Sequence, residues 1–247
     1  MNTKIVPTLF SKSKEDLHLQ YDKLSSHFSY FHVDITSLDF VDFDFYDVDI
    51  FKKLSNNNHS CEVHLMCRSV ENYIEELSQF PCVISIIIHF EIFKSKEEIE
   101  YFKETIMNKY PKVSFQLALS PQTLIEDVFM YLSMFKQIMI MGVVPGSQEQ
   151  EFIPIQLKKA QILSRLGKVV SIDGGINAKT LDSIVSTQQI SQLNIGSYLN
   201  LAKDESVLKK HISHINSLLT TSKQRVKNPI VVIADVGGTH VKVYRGL

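Results

Sequence analysis

Four short stretches carry side chains able to do chemistry: His32-Val33-Asp34, His64-Leu65-Met66, Asp173-Gly174-Gly175 and Gly196-Ser197. Each closes an apolar run. Side chains of an extended strand repeat every two residues, so His32 and Asp34 point to the same face. A strand end of that kind can hold a cation. Two imidazoles (His32, His64) and two carboxylates (Asp34, Asp173) from three separate runs form a four-ligand set for a divalent transition metal, with positions left open for substrate oxygens. Zinc, iron(II), manganese and cobalt all suit these ligands. Without an ion, the same residues would be a buried polar cluster whose two carboxylates repel, raising one pKa.

The elements that must position these groups alternate in kind. β-Branched runs at 4–9, 30–35, 62–66, 82–89, 113–119, 137–143, 169–173 and 192–196 read as strands. Amphipathic segments with polar starts, such as 14–27, 97–109, 154–166 and 177–186, read as helices between them. This is an α/β pattern with about as many strands as a closed barrel needs, about eight. His32, Asp34, His64, Met66, His89, Met141, Asp173 and Gly196 all fall at carboxyl ends of strands, where barrel enzymes build their sites.

Composition narrows the class. The 247 residues are 44% hydrophobic with a net charge of −1, which suits one ordinary core or a large single barrel and gives no reason to expect nucleic acid. No apolar run is long enough to span a bilayer, and Met1-Asn2-Thr3-Lys4 leads into a strand-like run without a signal-peptide core. A cytoplasmic protein with no membrane partner is expected. Cys61, Cys67 and Cys82 show no paired spacing, so buried free thiols are expected rather than disulfides or a zinc knuckle.

Taken in order over residues 4 to 220, the motifs resemble the ribulose-phosphate 3-epimerase family. Ile5-Val6-Pro7-Thr8-Leu9 looks like its opening strand, with Thr8 where the family places a serine. His32-Val33-Asp34-Ile35, Glu62-Val63-His64-Leu65-Met66 and Ile88-His89-Phe90-Glu91 resemble the next three strand ends, and Ala118-Leu119-Ser120-Pro121 the turn after the fifth. Met141-Gly142-Val143-Val144-Pro145-Gly146, followed by Phe152-Ile153-Pro154, is similar to the sixth. Ile172-Asp173-Gly174-Gly175-Ile176 and Asn194-Ile195-Gly196-Ser197 match the seventh and eighth.

The resemblance implies a (β/α)8 TIM barrel over residues 1–222 that inverts the carbinol carbon beside the ketone of a phosphorylated ketose, ribulose 5-phosphate or allulose 6-phosphate. A proton must leave one face of that carbon and return to the other, so two acid/base groups must flank it; Asp34 and Asp173 are the candidates. By family analogy both also bind the metal, with His32 and His64. Thr8, His64, Met66, Met141 and Gly146 are expected at the substrate, and Gly174, Gly175, Gly196 and Ser197 around its phosphate, met by backbone N–H groups. The expected partners are the sugar phosphate and further copies of the chain in a homo-oligomer.

Three segments depart from the family. Thr36-Ser37-Leu38 stands where the family has Met-Asp-Gly, removing one of three methionines expected to line the site. Ser147-Gln148-Glu149-Gln150 replaces a loop richer in glycine, and Glu149 would repel phosphate if it faced inward. Asp39 to Asp47 alternates acids with aromatics, either as a lid apolar on one side or as an extended segment with a solvated acidic face.

The tail reads separately. Residues 223–229 look like a polar linker and 230–247 like a β-hairpin turning at Gly237-Gly238. Within it, Asp235-Val236-Gly237-Gly238-Thr239-His240-Val241-Lys242 resembles the first phosphate motif of sugar kinases. With no companion motif following, kinase activity is not expected. A hairpin so small is marginal alone and should dock on the barrel or on another subunit. Beside the epimerase stand two alternatives: a sugar-phosphate-binding barrel with little or no turnover, and an assembly role through the tail.

Overall fold

The computed structural model describes residues 3–146, 150–187, 189–227, 232–237 and 240–245. Its β-branched runs form eight parallel strands: β1 Lys4–Leu9, β2 Tyr30–Thr36, β3 Ser60–Met66, β4 Val83–His89, β5 Ser114–Leu119, β6 Gln137–Met141, β7 Val169–Asp173 and β8 Gln192–Ile195. They pair in sequence order and close through β8 on β1, giving a barrel.

Helices lie between the strands: α1 Lys14–Leu24, α2 Asp49–Asn56, α3 Val70–Leu77, α4 Lys96–Tyr101, α5 Ile125–Val128, α6 Gln156–Arg165, α7 Leu181–Ser186, α8 Ser197–Asn200 and α9 Glu205–Lys227. Ser13 starts α1 by accepting the Asp16 N–H on its hydroxyl, which satisfies a donor left free in the first turn. The helix expected over 97–109 is divided, with α4 passing into a wider π-type turn at Phe102–Met107. The one expected over 177–186 begins later. Asn177 and Thr180 take backbone N–H groups on their side chains and hold a turn before α7.

One expectation is corrected. Residues 223–227, read as polar linker, continue α9 to Lys227; Lys, Gln and Arg favour helix, and the first breaker is Pro229. Residues 228–231 lie outside the described residues. Beyond them β9 Val232–Gly237 and β10 His240–Arg245 pair antiparallel as the expected hairpin, with Gly238 of the expected turn again outside the description. Among the described residues no helix is long and apolar enough to cross a membrane. The three cysteines are buried and free.

Strand alternation sorts the core into two. Outward residues such as Val33, Val63, Ile88, Leu117, Ile140, Ile172 and Leu193 join the main cluster with the helices. Inward, a small apolar plug of Ile87, Ala118, Met139 and Met141 fills one side of the barrel. Around it the inward positions carry buried polar groups, His32, Asp34, Glu62 and His64 on β2 and β3, Ser85, His89 and Gln116 on β4 and β5, and Asp173 and Asn194 on β7 and β8.

Candidate active site

Register builds the centre. In the β2–β3 pair His32 lies beside Glu62 and Asp34 beside His64, all four inward. His32 Nε2 comes 3.1 Å from Asp34 Oδ1, and His64 Nδ1 comes 2.8 Å from the same oxygen. Asp173 reaches in from the end of β7, where it pairs in register with Met141 and Asn194. One ligand atom from each of His32, Asp34, His64 and Asp173 lies within 4.8 Å of the others, and all four residues are buried.

Each imidazole of the cluster is backed from behind, His32 by a carboxylate and His64 by a second imidazole. His32 donates its Nδ1–H to Glu62 Oε1 at 2.7 Å, and Glu62 is further fixed by Tyr30, Gln116 and Gln192. That leaves His32 Nε2 buried and turned into the cluster, where it faces Asp34 Oδ1. His64 Nε2 meets His89 Nε2 at 2.8 Å, and His89 Nδ1 meets Glu91 Oε2 at 3.0 Å.

Electrostatics separates the two aspartates. Burial alone would raise the Asp34 carboxyl, but hydrogen bonds and charge from His32 and His64 outweigh it and hold it well below its usual value. Asp173 lacks such bonds. Burial, reinforced by the charges of Asp34 and Glu62 and opposed by His32, pushes it up to about 7. His32 is raised despite its burial, because Asp34 and Glu62 both favour its cation. Burial lowers His64, and lowers His89 to about 4.

This donor set fits a divalent cation. Two nitrogens and two carboxylates converge without a lysine or arginine among them, and His32, its Nδ1 already held by Glu62, turns its buried Nε2 toward the other donors.

Above the cluster opens a cavity of about 550 Å³, measured with its open mouth. Asp34 and Asp173 line it, with Thr8, Met66 and Met141 around them. Gly146, Gly174, Gly175, Gly196 and Ser197 form its outer wall. His32 and His64 have no exposed surface and lie beneath its floor, so His64 is set at the cation cluster rather than on the cavity wall. At Gly174 φ is +90°, and a Cβ there would sit 2.4 Å from Val143 Cγ2. Only glycine allows that close approach. Ser147, Gln148 and Glu149 lie outside the described residues; Gln150 reaches the cavity.

The acidic-aromatic loop folds over the rim. Phe40, Val41 and Phe43 pack with Phe10 and Met66, and the Phe40 ring lies 4.6 Å from that of His89. Asp39, Asp42 and Asp44 face solvent, and Asp39 accepts the N–H groups of Arg68 and Ser69. The loop is thus apolar toward the site and acidic away from it.

Sequence reasoning gave no role to Glu62, Glu91 or Asn194, and left His89 as a strand-end residue. Glu62 could have been found by its spacing, two residues before His64 and so on the same face.

A closed eightfold barrel with a carboxylate–imidazole cluster at the carboxyl ends of its strands defines a TIM-barrel protein with an enzyme-like site. The ribulose-phosphate 3 epimerase family model matches residues 4–199, and the chain belongs to that family. It is 29% identical over 153 residues to a ribulose-phosphate 3-epimerase of Encephalitozoon cuniculi, covering 62% of this chain and 68% of that protein. The enzyme of the same name from Schizosaccharomyces pombe is 26% identical over 191 residues, covering 74% and 81%. Among solved structures, KGPDC from Streptococcus mutans superposes with a TM-score of 0.65 at 13% identity, covering 87% of this chain and 99% of that one. Tryptophan synthase of Mycobacterium tuberculosis gives 0.63 at 10% identity, covering 88% and 93%. These last two show the barrel fold.

Proposed function

We propose that this chain is a metal-dependent 3-epimerase of a phosphorylated ketose, ribulose 5-phosphate or allulose 6-phosphate, with Asp34 and Asp173 as the proton-transferring pair. The observation that carries the reading is geometric: two buried carboxylates, from β2 and β7, line one cavity and share a single donor cluster with His32 and His64. Two carboxyl groups that flank one reacting carbon can act as base on one face and acid on the other.

His32, Asp34, His64 and Asp173 would hold the divalent cation. When bound, it supplies positive charge for the oxygens of the enediolate, which makes the hydrogen beside the ketone removable. One ionised aspartate takes the C3 proton from its face, while the other delivers a proton to the opposite face. The first is left protonated and the second ionised, so the reverse reaction starts from the mirrored state. Met66 and Met141 give the reacting carbon an apolar wall. The backbone at Gly174, Gly175, Gly196 and Ser197 is free of large side chains and would receive the phosphate.

Incubation with ribulose 5-phosphate in deuterium oxide tests this. Epimerised product carrying deuterium at C3, abolished by chelator and restored by metal, is the expected result. Thermal stabilisation by the sugar phosphate with no exchange in any ketose phosphate of a panel would instead leave a binding protein.

A further inference from the structure

We propose that Glu91 and His89 are positioning residues for the metal centre, holding His64 as the Nε2–H tautomer so that its Nδ1 lone pair is the donor offered to the cation. The inference rests on the metal-dependent reading above and adds the device that orients one ligand.

The chain can be followed from its outer end. Glu91 Oε1 accepts the backbone N–H of Ser120 and the hydroxyl of Thr123, while its Oε2 faces His89 Nδ1 at 3.0 Å. Surrounded by donors, this carboxylate acts as acceptor only, so His89 carries its proton on Nδ1. A neutral His89 then has its lone pair on Nε2. His64 Nε2 lies 2.8 Å away and must donate, which leaves His64 Nδ1 as the lone-pair nitrogen.

That nitrogen stands 2.8 Å from Asp34 Oδ1, which is itself an acceptor. Two acceptors at this separation repel unless a positive charge serves both, the proton that joins His64 to Asp34 in the metal-free site or the cation that takes its place. The relay therefore presents a paired nitrogen and oxygen for a cation. Phe40 covers the His89 ring, and His64 and His89 are both fully buried, so water offers the two imidazoles no alternative partner. Outer partners that fix a ligating imidazole typically change metal affinity by about 10- to 100-fold when removed.

The test uses the full-length protein and Zn2+ as the probe. Long-range proton–nitrogen NMR should find the proton of His64 on Nε2, in the zinc-loaded wild type. His89→Leu and Glu91→Gln should each weaken Zn2+ binding, measured by chelator competition, by about 10- to 100-fold. His89→Gln, whose carbonyl can still accept from His64, should recover most of the loss. A purely structural role for His89 predicts no such rescue, and equal affinity in His89→Leu and wild type overturns the relay. So does a His64 proton found on Nδ1, a result that needs no variant to fold. Wild-type protein that binds no Zn2+, iron(II), Mn2+ or Co2+ overturns the metal-dependent function itself, and is thereby told apart from failure of the relay alone.

Discussion

Asp34 and Asp173 bring carboxylate oxygens within 4.8 Å of each other, yet Asp34 is held ionised by two imidazoles while Asp173 is pushed up to about 7. The difference arises from β2–β3 register, which gives Asp34 an imidazole on its own strand and another beside it. Asp173→Asn keeps the size of the side chain and removes the proton carrier. Turnover of ribulose 5-phosphate should fall by at least about 10²- to 10⁴-fold, the usual worth of a positioned acid or base. Asp173→Asn protein with wild-type kcat would count decisively against the pair.

Proton competition sets the pH response. Cation binding displaces the protons of Asp173 and of His32, which is raised as well, so apparent Zn2+ affinity should rise with pH through about 7 and go on rising until His32 is neutral. The contribution of Asp173 to the stability of the metal-free fold runs the opposite way. Because Asp173 is raised from 3.8 to about 7, the folded chain binds more protons than the unfolded one in that window. Its stabilising contribution is whole below 3.8 and lost as pH rises through about 7. Thermal melts in EDTA should therefore show a decline toward neutral pH that Asp173→Asn lacks; identical profiles would refute the assignment.

Glu62 is wholly buried and serves four donors, from Tyr30, His32, Gln116 and Gln192. Glu62→Leu leaves them facing an apolar side chain and should destabilise the fold by about 3–5 kcal/mol, as loss of one partner from a buried charged pair does. Urea denaturation of the metal-free protein measures it. Glu62→Gln, which keeps an acceptor, should lose less.

Two glycines with positive φ separate strain from crowding. Gly167 has φ +81° and nothing within 4 Å of an added Cβ, so Gly167→Ala should cost about 1–2 kcal/mol by conformation alone. Gly174→Ala adds a clash with Val143 to a similar strain. It should be the less stable variant and also weaken inorganic phosphate binding, which calorimetry can follow.

Chelation should lower the melting temperature if the four-donor cluster holds a cation. Ligand at about 100 times its dissociation constant contributes about 2.7 kcal/mol to the folded state. A His32→Ala protein should melt at the same temperature with and without EDTA.

A period of two sufficed to put His32 and Asp34 on one face, and residue type at the ends of apolar runs to add His64 and Asp173 as candidates, because both features are local and survive in the sequence. The same alternation located the strands, most within two residues of their ends. Helix limits were less legible where side-chain-capped turns or a π-type turn intervene, as at Asn177 and Phe102. Closure of the barrel decided the rest. Glu62 meets His32, and His89 meets His64, only because neighbouring strands settle in one register. Whether the Asp39 to Asp47 segment was lid or solvated strand was also open until Phe40 was seated on His89. Contacts between residues tens of positions apart depend on how strands align in space, and no local pattern encodes that alignment.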